Sequence, residues 1–429
     1  MTSTLNTIDI APEQLCVGLY VHLDMPWLAH GFARNNFKIK NEDDLAAIKH
    51  LGLQKIRFDP ARSDCAPLNL SSQTTLVAEV EIHTPNAAEV ALMEAKKARI
   101  ERLNQTRNAV TQCEKQFAKA ATTIRNISRN IFSRPQETRE EADQLVQQML
   151  DSLLIDKDIA IHLMNDKIAG EETYYHSLNV TVLAMMLGKE LGLPAADIRL
   201  LGTGCLFHDI GKIEIPSRIV NKAEALTSAE RNLIQQHCQY GDAIAQKLGL
   251  PRAAIDIIRK HHEYADGSGY PLHLKADDIP LLVSIATIVN TYDNHCNRPN
   301  PADSLSPYEA LSIMFSQQRK LFAPEPLMVF IRCMGVYPPG TIVRLSDGTL
   351  GMVISVNSGK PLRPSILIYD PEVPKNQAII RDLINEPELN VSASLKPRQL
   401  EPAVYDYLSP RKRMSYFMDA QQPHSRPHS

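Results

Sequence analysis

Five histidines lie between residues 175 and 263, and four of them are near a carboxylate or another histidine in sequence. The remaining pattern of this stretch is apolar and helical. They fall into four groups, which are Glu172 with His176, His208 with Asp209, His237 alone, and His261 with His262 and Glu263. Burying imidazoles and carboxylates together costs free energy unless something compensates them. A pair of divalent cations would compensate them, and this mixture of ligands suits iron, manganese or zinc. The residue types therefore predict a metal centre.

The spacing of these residues fits helices that converge on one site. Glu172 and His176 are at positions i and i+4, so a helix places both on one face. His208 and Asp209 close a predicted apolar helix over 198–207, and neighbouring residues on a helix point roughly 100° apart. At that place a carboxylate can bridge two ions, while the histidine beside it binds one.

Single histidines need a more cautious interpretation, because a buried polar group is usually satisfied by an ordinary hydrogen bond. We assign no role to His162, His273 or His295, and His237 taken alone fits either interpretation. The seven cysteines are scattered without a C-x-x-C pair, which argues against a disulfide framework and against a purely structural zinc site. The joint pattern of five histidines with their carboxylates is what indicates metal.

Two runs of residues resemble a known family. The run 208–212 (HDIGK), followed by the run 261–271 (HHEYADGSGYP), resembles the HD-GYP subgroup of the HD phosphohydrolase superfamily. The second run is long and highly specific, and the resemblance extends over roughly residues 171–334. The segment 15–32 also resembles an uncharacterised domain that is often found upstream of HD-GYP domains.

The resemblance implies hydrolysis of cyclic di-GMP to linear pGpG and, in some members, onward to GMP. It implies two divalent ions, or three in some members, with iron or manganese as the usual metals. The positions that match the family's metal ligands are Glu172, His176, His208, Asp209, His237, His261 and His262, with Asp209 bridging and Glu172 belonging to the third ion. Lys212 matches a lysine that contacts the substrate phosphate. The loop around Tyr270 borders the site, and in the family it is linked to contact with GGDEF-type cyclases.

One position departs from the family pattern. Where the family has its late metal-binding aspartate, this chain has Asn290, and Asp293 matches the second aspartate of that segment rather than the ligand. An amide oxygen can still bind a metal, but it brings no charge, so we expect weaker binding or altered selectivity for the first ion. Arg298 resembles the family's phosphate-binding arginine with a spacing that is one residue shorter.

These assignments lead to a mechanistic hypothesis and to two rival functions. Two metals activate a water and clamp the phosphoryl oxygens, while Lys212 and Arg298 offset charge on the phosphate. Tyr270 is a candidate for stacking on a guanine, although a tyrosine in a Gly-Pro loop fits a structural role equally well. The alternatives are a cyclic di-GMP receptor or adaptor with weak or no catalysis, motivated by Asn290, and an HD phosphohydrolase that acts on another nucleotide.

Length and composition set the frame for this chemistry. A chain of 429 residues is too long for one ordinary core, which predicts a multidomain protein. Its net charge of −3 gives no general attraction for nucleic acid, so we predict no DNA binding. Scattered cysteines, no signal-peptide pattern and no apolar run of ~20 residues predict a cytoplasmic protein without membrane insertion. Homodimerisation through the flanking domains stays an open alternative.

The pattern of elements divides the chain into five parts. We predict a small α+β regulatory domain over 1–86, a solvated helical linker over 87–138 and an HD-GYP catalytic domain over 139–337. A β-rich extension over 338–408 and a disordered tail over 409–429 follow. The periodicity between residues 139 and 334 is helical throughout, which predicts a central all-α HD-type bundle. Capping boxes at Thr227 and Ser306 mark two of its helices.

Overall fold

The structure is a computed structural model. It describes residues 7–25, 32, 36–68, 115–155, 160–163, 172–220, 222, 224–298, 300, 303–357, 359–371, 373, 375, 378–408 and 416–419. The chain separates into two compact units, residues 1–105 and residues 106–429. No helix within these described segments is long and apolar enough to cross a bilayer.

The first unit is a small antiparallel sheet with one helix. Its strands are β1 (Ile8–Ile10), β2 (Tyr20–His22), β3 (Asn36–Lys38) and β4 (Ile56–Phe58), in the order β1-β4-β2-β3. Helix α1 (Glu42–His50) begins after Asn41, whose side chain accepts a hydrogen bond from the amide of Asp44. Leu19, Ile39 and Ile48 are fully enclosed in its core. The predicted short strands around one small helix are confirmed.

Most of the second unit is helical. Its helices are α2 (115–130), α3 (Pro135–Ile155), α4 (Glu172–Glu190), α5 (Ala195–Phe207), α6 (Ser217–Val220), α7 (Ser228–Gln235), α8 (His237–Lys247), α9 (Arg252–Lys260), α10 (Leu281–Cys296), α11 (Pro307–Ser316), α12 (Pro324–Met334) and α13 (Pro402–Leu408). Both predicted capping boxes are present. The hydroxyl of Thr227 accepts from the amide of Glu230 before α7, and Ser306 does the same for Glu309 before α11. The central all-α bundle is confirmed in this sense.

Small residues allow the central helices to approach closely. Helix α5 packs against α4 and α9, and α10 packs against α4. A Cβ atom at Gly204 of α5 would lie 2.6 Å from Cδ1 of Ile257 on α9, and one at Gly202 would lie 2.7 Å from Sδ of Met185 on α4. A Cβ atom at either position would overlap the neighbouring side chain, so the two glycines allow α5 to pack closely on α4 and α9. These helices carry or adjoin residues of the candidate site.

The second unit also contains a seven-stranded antiparallel sheet. Its strands are β5 (Ala160–Leu163), β6 (Ile342–Leu345), β7 (Leu350–Asn357), β8 (Ser365–Ile368), β9 (Ile380–Asp382), β10 (Val391–Leu395) and β11 (Tyr416–Asp419). The main path runs β10-β6-β7-β5-β11, and β8 pairs with β7 and β9. The strands predicted around residues 341–345, 351–356 and 365–369 are confirmed.

Two predictions about this region are wrong. The stretch from 139 to 334 is not helical throughout, because β5 interrupts it and pairs with β7 and β11. The tail is not wholly disordered, because its residues 416–419 form β11 on the other edge of β5. Both strands have only four residues, and their partners lie far away in sequence, so a local pattern gave no signal for either.

The prediction of a solvated connecting helix is also wrong where the structure describes it. Residues 115–130 belong to the second unit, and their apolar side chains join its main core. The buried positions are Phe117, Ala120, Ala121, Ile124, Ile127 and Ile131. They recur every three or four residues, which is the stripe of an amphipathic helix packed on one side. The rest of the predicted linker, residues 87–114, lies outside the described residues.

Candidate metal centre

The five histidines and Asp209 meet at the ends of four central helices. His176 lies on α4, His208 follows the last residue of α5, and His237 is the first residue of α8. His261 and His262 directly follow α9. Asp209 begins a short 3-10 turn that packs on α8 at Gly211, where a Cβ atom would lie 1.9 Å from the carbonyl oxygen of His237. Only glycine fits there, so this contact holds Asp209 beside α8.

Asp209 lies between two groups of histidines. Its Oδ2 is 3.5 Å from Nε2 of His208 and 3.6 Å from Nε2 of His176, whereas its Oδ1 is 3.4 Å from Nε2 of His237 and 3.8 Å from Nε2 of His261. The candidate ligand atoms form two clusters that share this carboxylate, each with all atoms within 4.8 Å of one another. The first cluster comprises His176, His208 and Asp209, and the second comprises Asp209, His237, His261 and His262.

Backbone carbonyls determine which nitrogen of each buried histidine carries the proton. Nδ1 of His208, His237 and His261 lies 2.7, 2.7 and 2.9 Å from the carbonyl oxygen three residues earlier. A carbonyl only accepts, so each Nδ1 donates, and in a neutral imidazole Nε2 is then an acceptor. Burial lowers the pKa of all three rings, that of His208 to about 4, so they are neutral at pH 7.

A carboxylate holds the fourth ring in the same tautomer. Nδ1 of His176 lies 2.6 Å from Oδ2 of Asp293, which is fully buried on α10. The other oxygen of Asp293 accepts from the side-chain amides of Asn179 at 2.8 Å and Asn297 at 3.0 Å. These two donors hold the carboxylate in place, so it directs Nε2 of His176 towards His208. Sequence reasoning assigned no function to Asp293; its place three residues after Asn290 on an apolar helix was the only available signal.

The facing nitrogens form two close contacts that a hydrogen bond does not explain. Nε2 of His176 is 3.1 Å from Nε2 of His208, and Nε2 of His237 is 3.2 Å from Nε2 of His261. When the four rings are neutral in the tautomers described above, all four nitrogens are acceptors and each contact brings two lone pairs together. One cation between the nitrogens of each pair would remove the repulsion between their lone pairs, and the shared carboxylate supplies negative charge. The residues present therefore fit a centre of two divalent metal ions.

Lys212 supplies the positive charge beside the carboxylate. Its Nζ lies 2.6 Å from Oδ2 of Asp209, and about a quarter of its side chain is exposed. Burial alone would raise the pKa of Asp209, but Lys212 and the surrounding histidines hold that pKa well below its usual range. Asp209 is consequently ionised, as a bridging ligand must be.

The loop after α9 is tied down by Glu263, which sequence reasoning left without a role. Its buried carboxylate accepts the amides of Leu272 at 2.5 Å and Leu274 at 2.9 Å. Gly269 lies so close to the chain that a Cβ atom would come within 2.3 Å of the amide nitrogen of Tyr264. The glycine of the G-Y-P run is thus required by packing.

The ring of Tyr270 packs on His262, which is one of the candidate metal ligands. Its ring stacks on His262, with centroids 4.6 Å apart and planes at 18°, and its amide donates to the carbonyl of His262 at 3.1 Å. One face of the Tyr270 ring is therefore covered by a candidate metal ligand.

Three known families match the chain. A domain of unknown function (DUF3391) matches residues 7–161, an HD domain matches residues 132–325, and a KOW domain associated with HD domains matches residues 342–403. The chain is 28% identical, over 84% of its length and 84% of the relative, to a cyclic di-GMP phosphodiesterase of Pseudomonas aeruginosa. This chain contains an HD domain and is similar to HD-GYP phosphodiesterases. The predicted resemblance is confirmed for the HD region and for the upstream domain.

Other relatives match a smaller part of the chain. A cyclic di-GMP phosphodiesterase of Thermotoga maritima is 32% identical over 38% of this chain and 44% of that protein. A 3′3′-cGAMP-specific phosphodiesterase of Vibrio cholerae is 29% identical over 41% of this chain and 34% of that protein. Among solved structures, the Bdellovibrio bacteriovorus HD-GYP-type protein Bd1817 matches with a TM-score of 0.40 and 14% identity, covering 75% of this chain and 97% of that one.

The departure from the HD-GYP pattern lies on α10, between two contacts to the histidines. Asn290 is 2% exposed, and its Oδ1 accepts from the side-chain amide of Asn294 at 2.8 Å. One turn before it, the hydroxyl of Thr287 donates to the carbonyl of His261 at 3.1 Å, and one turn after it Asp293 holds His176. The face of α10 that carries Asn290 thus contacts both histidine groups.

For two of the predicted site residues, Glu172 and Arg298, the described contacts include none with the two histidine clusters. Glu172 is the first residue of α4, one turn before His176, but its side chain lies outside the described residues. Arg298 follows the end of α10, and its amide donates to the hydroxyl of Ser304 at 3.0 Å. The described contacts of Arg298 do not include one with the two clusters, so its role as a phosphate ligand stays a prediction.

Proposed function

We propose that this chain is a metal-dependent phosphodiesterase that hydrolyses cyclic di-GMP to pGpG, with GMP as a further product. The observation that carries the proposal is the pair of acceptor–acceptor contacts on either side of Asp209, at 3.1 and 3.2 Å. Two ions sharing one carboxylate are the arrangement that hydrolytic phosphodiester chemistry uses. The phosphodiesterases among the HD-GYP relatives support the same reaction class.

Each ion has a distinct set of ligands in this proposal. His237, His261, His262 and Asp209 would hold one ion, with three imidazoles and the shared carboxylate. His176, His208 and Asp209 would hold the other, with the amide oxygen of Asn290 as a further candidate ligand. Imidazole and carboxylate ligands without cysteine suit iron(II) or manganese(II). A third ion would use Glu172, as in some family members.

The protein's own residues prepare the reaction around this centre. When two divalent ions are bound, they supply an activated water and neutralise charge on the phosphoryl oxygens. Asp293 and the backbone carbonyls orient the imidazoles by accepting hydrogen bonds from their Nδ1 atoms. Lys212 donates to Oδ2 of Asp209, and its partly exposed ammonium group would offset negative charge on a phosphate oxygen. Tyr270 offers one ring face to a guanine, and Arg298 is the second candidate for a phosphate contact.

We favour cyclic di-GMP over cGAMP as the substrate because the matched cyclic di-GMP phosphodiesterase covers more of this chain. The cyclic di-GMP phosphodiesterase of Pseudomonas aeruginosa matches across 84% of this chain, including the regions that flank the HD domain. The matched cGAMP-specific phosphodiesterase covers 41% of the chain. Both substrates are cyclic dinucleotides, so a substrate panel must separate them.

The test is turnover by anaerobically purified protein loaded separately with iron(II) and manganese(II). Cyclic di-GMP, 3′3′-cGAMP and cyclic di-AMP are offered in parallel, and products are separated by chromatography. We expect pGpG from cyclic di-GMP, a smaller rate with the other two, and a loss of at least about 10³-fold in Asp209→Ala, in the range that removing a central catalytic group produces. Asp277→Asn, which changes an exposed carboxylate, is the control. Undiminished turnover in Asp209→Ala would contradict the assignment.

A second candidate function follows from Asn290. An uncharged residue among the ligands of the His176 ion favours a receptor that binds cyclic di-GMP without cleaving it. Tight binding without turnover under every metal, together with turnover restored by Asn290→Asp, would establish the receptor and identify the missing ligand. Turnover in the unmodified chain would exclude it.

A further inference from the structure

Two cysteines of the first unit lie in contact although they are 49 residues apart in sequence. The Sγ atoms of Cys16 and Cys65 are 3.1 Å apart, one thiol donating to the other. Cys16 follows the 3-10 turn after β1, and Cys65 lies in the segment after β4. The metal centre belongs to the other unit, so the function proposed above makes no use of this pair.

Backbone hydrogen bonds hold the two cysteine segments side by side. The amide of Leu68 donates to the carbonyl of Gln14, and the amide of Asp64 donates to the carbonyl of Gly18, each at 2.9 Å. These two hydrogen bonds flank the cysteines in sequence and keep the two thiols close to each other. A disulfide needs an S–S distance of ~2.05 Å, so the sulfur atoms must approach by only about 1 Å.

The two thiols differ in exposure, which assigns them different roles in an exchange reaction. Cys65 is exposed, whereas Cys16 is half-buried. Burial and the neighbouring Cys65 thiol raise the pKa of Cys16 to about 11. Cys65 is consequently the thiol that a dissolved reagent meets first, and Cys16 is the one that resolves the product. Cys205, Cys238, Cys296 and Cys333 are all buried and are not accessible in this way.

We propose that Cys16 and Cys65 form a reversible disulfide by exchange with small-molecule disulfides. The Cys65 thiolate attacks one sulfur of the reagent RSSR, which forms a Cys65–S–S–R bond and releases one RSH after protonation. The Cys16 thiolate then attacks Sγ of Cys65, which forms the Cys16–Cys65 bond and releases the second RSH. Two protein thiols are oxidised and one RSSR is reduced to two RSH. A reversible disulfide of this kind is compatible with a reducing compartment, where such bonds are transient and redox-sensing.

The cross-link would fasten the small sheet of the first unit. It joins the segment just before β2 to the segment just after β4, and these two strands are neighbours in the sheet. Oxidation would therefore close the unit covalently around its core, whereas reduction would leave the two segments joined by hydrogen bonds alone. The proposal assigns to this unit a sensitivity to the thiol–disulfide balance.

The experiment uses the full chain with Cys113→Ser, which removes a thiol that lies outside the described residues. The reduced protein is incubated with oxidised glutathione, exposed thiols are alkylated, and peptides are mapped by mass spectrometry. We expect the loss of two alkylatable thiols per chain, a peptide in which Cys16 is linked to Cys65, and full reversal by dithiothreitol. With Cys16→Ser the reaction should stop at a stable glutathione adduct on Cys65.

The matched variant Cys65→Ser tests the order of the two steps. We expect Cys16 in that variant to react with glutathione at least tenfold more slowly than Cys65 does in Cys16→Ser. A glutathione adduct on Cys65 that persists without cross-linking while Cys16 is present would overturn the proposal, as would pairing of Cys16 with another cysteine. The mapping of the Cys16–Cys65 pair needs no substitution at either cysteine, and its result does not depend on phosphodiesterase activity.

Discussion

Asp293 contacts the Nδ1 atom of His176, the ring nitrogen opposite the one that faces the candidate metal site. It binds Nδ1 of His176 at 2.6 Å and is itself held by Asn179 and Asn297. Carboxylates in this position orient the imidazole and increase its basicity, and their loss typically costs 10–100-fold in metal affinity. The effect should be confined to the ion held by His176 and His208.

We therefore expect Asp293→Asn to weaken one of two metal-binding steps by about 10–100-fold. Competition with a chelating dye, followed as a two-step titration, separates the two ions. The variant should keep the tighter step unchanged, which a general loss of folding would not allow. Asp277→Asn is the exposed control, and equal weakening of both steps would refute the assignment to one ion.

Asn290 is the residue at which this chain departs from its family. In Asn290→Asp the new carboxylate keeps the amide of Asn294 as a donor and adds charge next to the His176 ion. A buried charge without a counter-charge destabilises a protein, whereas a charge bound to a metal does not. The substitution should consequently act in opposite directions on the metal-free and the metal-loaded protein.

We expect Asn290→Asp to lower the melting temperature of the chelator-treated protein and to raise that of the loaded protein. We also expect it to strengthen the weaker metal-binding step by about tenfold or more, equivalent to about 1.4 kcal/mol. Differential scanning calorimetry with and without manganese(II) measures the first effect. Asn294→Asp, which puts the charge one turn further along α10, is the matched control. A shift of equal sign in both states would contradict this placement of residue 290.

At the scale of elements, the loop after α9 depends on one carboxylate. Glu263 accepts two amides of that loop, and a glutamine can accept with one oxygen while its NH₂ group faces the other amide. Glu263→Gln should therefore reduce the free energy of unfolding by about 1–3 kcal/mol, the usual cost of an unsatisfied buried group. We expect substrate KM to rise more than kcat falls, because the loop carries Tyr270 and not the bridging Asp209.

Urea unfolding and steady-state kinetics check this prediction, with Glu325→Gln at an exposed position as the control. Loss of bound metal in Glu263→Gln would speak against a role confined to the loop.

The edge strand β11 offers a second test at this scale. It supplies four residue pairs to β5, from Tyr416↔Leu163 to Asp419↔Ala160. Ending the chain after residue 415 leaves β5 as an unpaired edge, which favours association between chains. We expect lower thermal stability and a concentration-dependent increase in light scattering, whereas ending the chain after residue 419 should change neither. Identical behaviour of the two truncations would show that β11 contributes nothing.

At the scale of the whole molecule, the buried histidines link stability to pH. The pKa of His208 is about 4 when folded, against about 6.5 in an unfolded chain, so between these values only the unfolded state binds the proton. Stability is therefore complete above pH 6.5 and declines as the pH falls towards 4. His208 alone accounts for about 3 kcal/mol of this decline, and His237, His261 and His262 act in the same direction.

Denaturant unfolding of the chelator-treated protein at several values between pH 7.5 and 4.5 measures the decline. His208→Gln should flatten part of the curve, whereas His273→Gln, at an exposed position, should leave it unchanged. A free energy of unfolding that stays constant over this interval would contradict neutral burial of the histidine cluster.

The residues that meet at the candidate site could be selected from the sequence, and the reason is physical. His208-Asp209 and His261-His262 are adjacent pairs at helix ends, and their chemistry is visible in the residue types. Asp293 and Glu263 were not assigned roles, because their partners, His176 and Leu272, depend on the packing of separate elements. The proximity of Cys16 to Cys65 likewise arises from tertiary pairing that no local periodicity encodes.

The fold was predictable where an element carries its own signal. Capping boxes at Thr227 and Ser306 marked helix starts correctly, since a cap is a local interaction. The strands β5 and β11 escaped prediction because four residues carry too little pattern and their pairing is non-local. The burial of 115–130 was missed because many charged residues hid an apolar stripe.

The pairing of β5 with β11 also bears on how the protein is made. The two strands are separated by about 250 residues, so nearly the whole chain must leave the ribosome before the second edge of β5 is covered. The helices that carry the histidines are complete long before that moment. A nascent chain therefore holds the helices of the candidate metal centre before β11 can cover the second edge of β5.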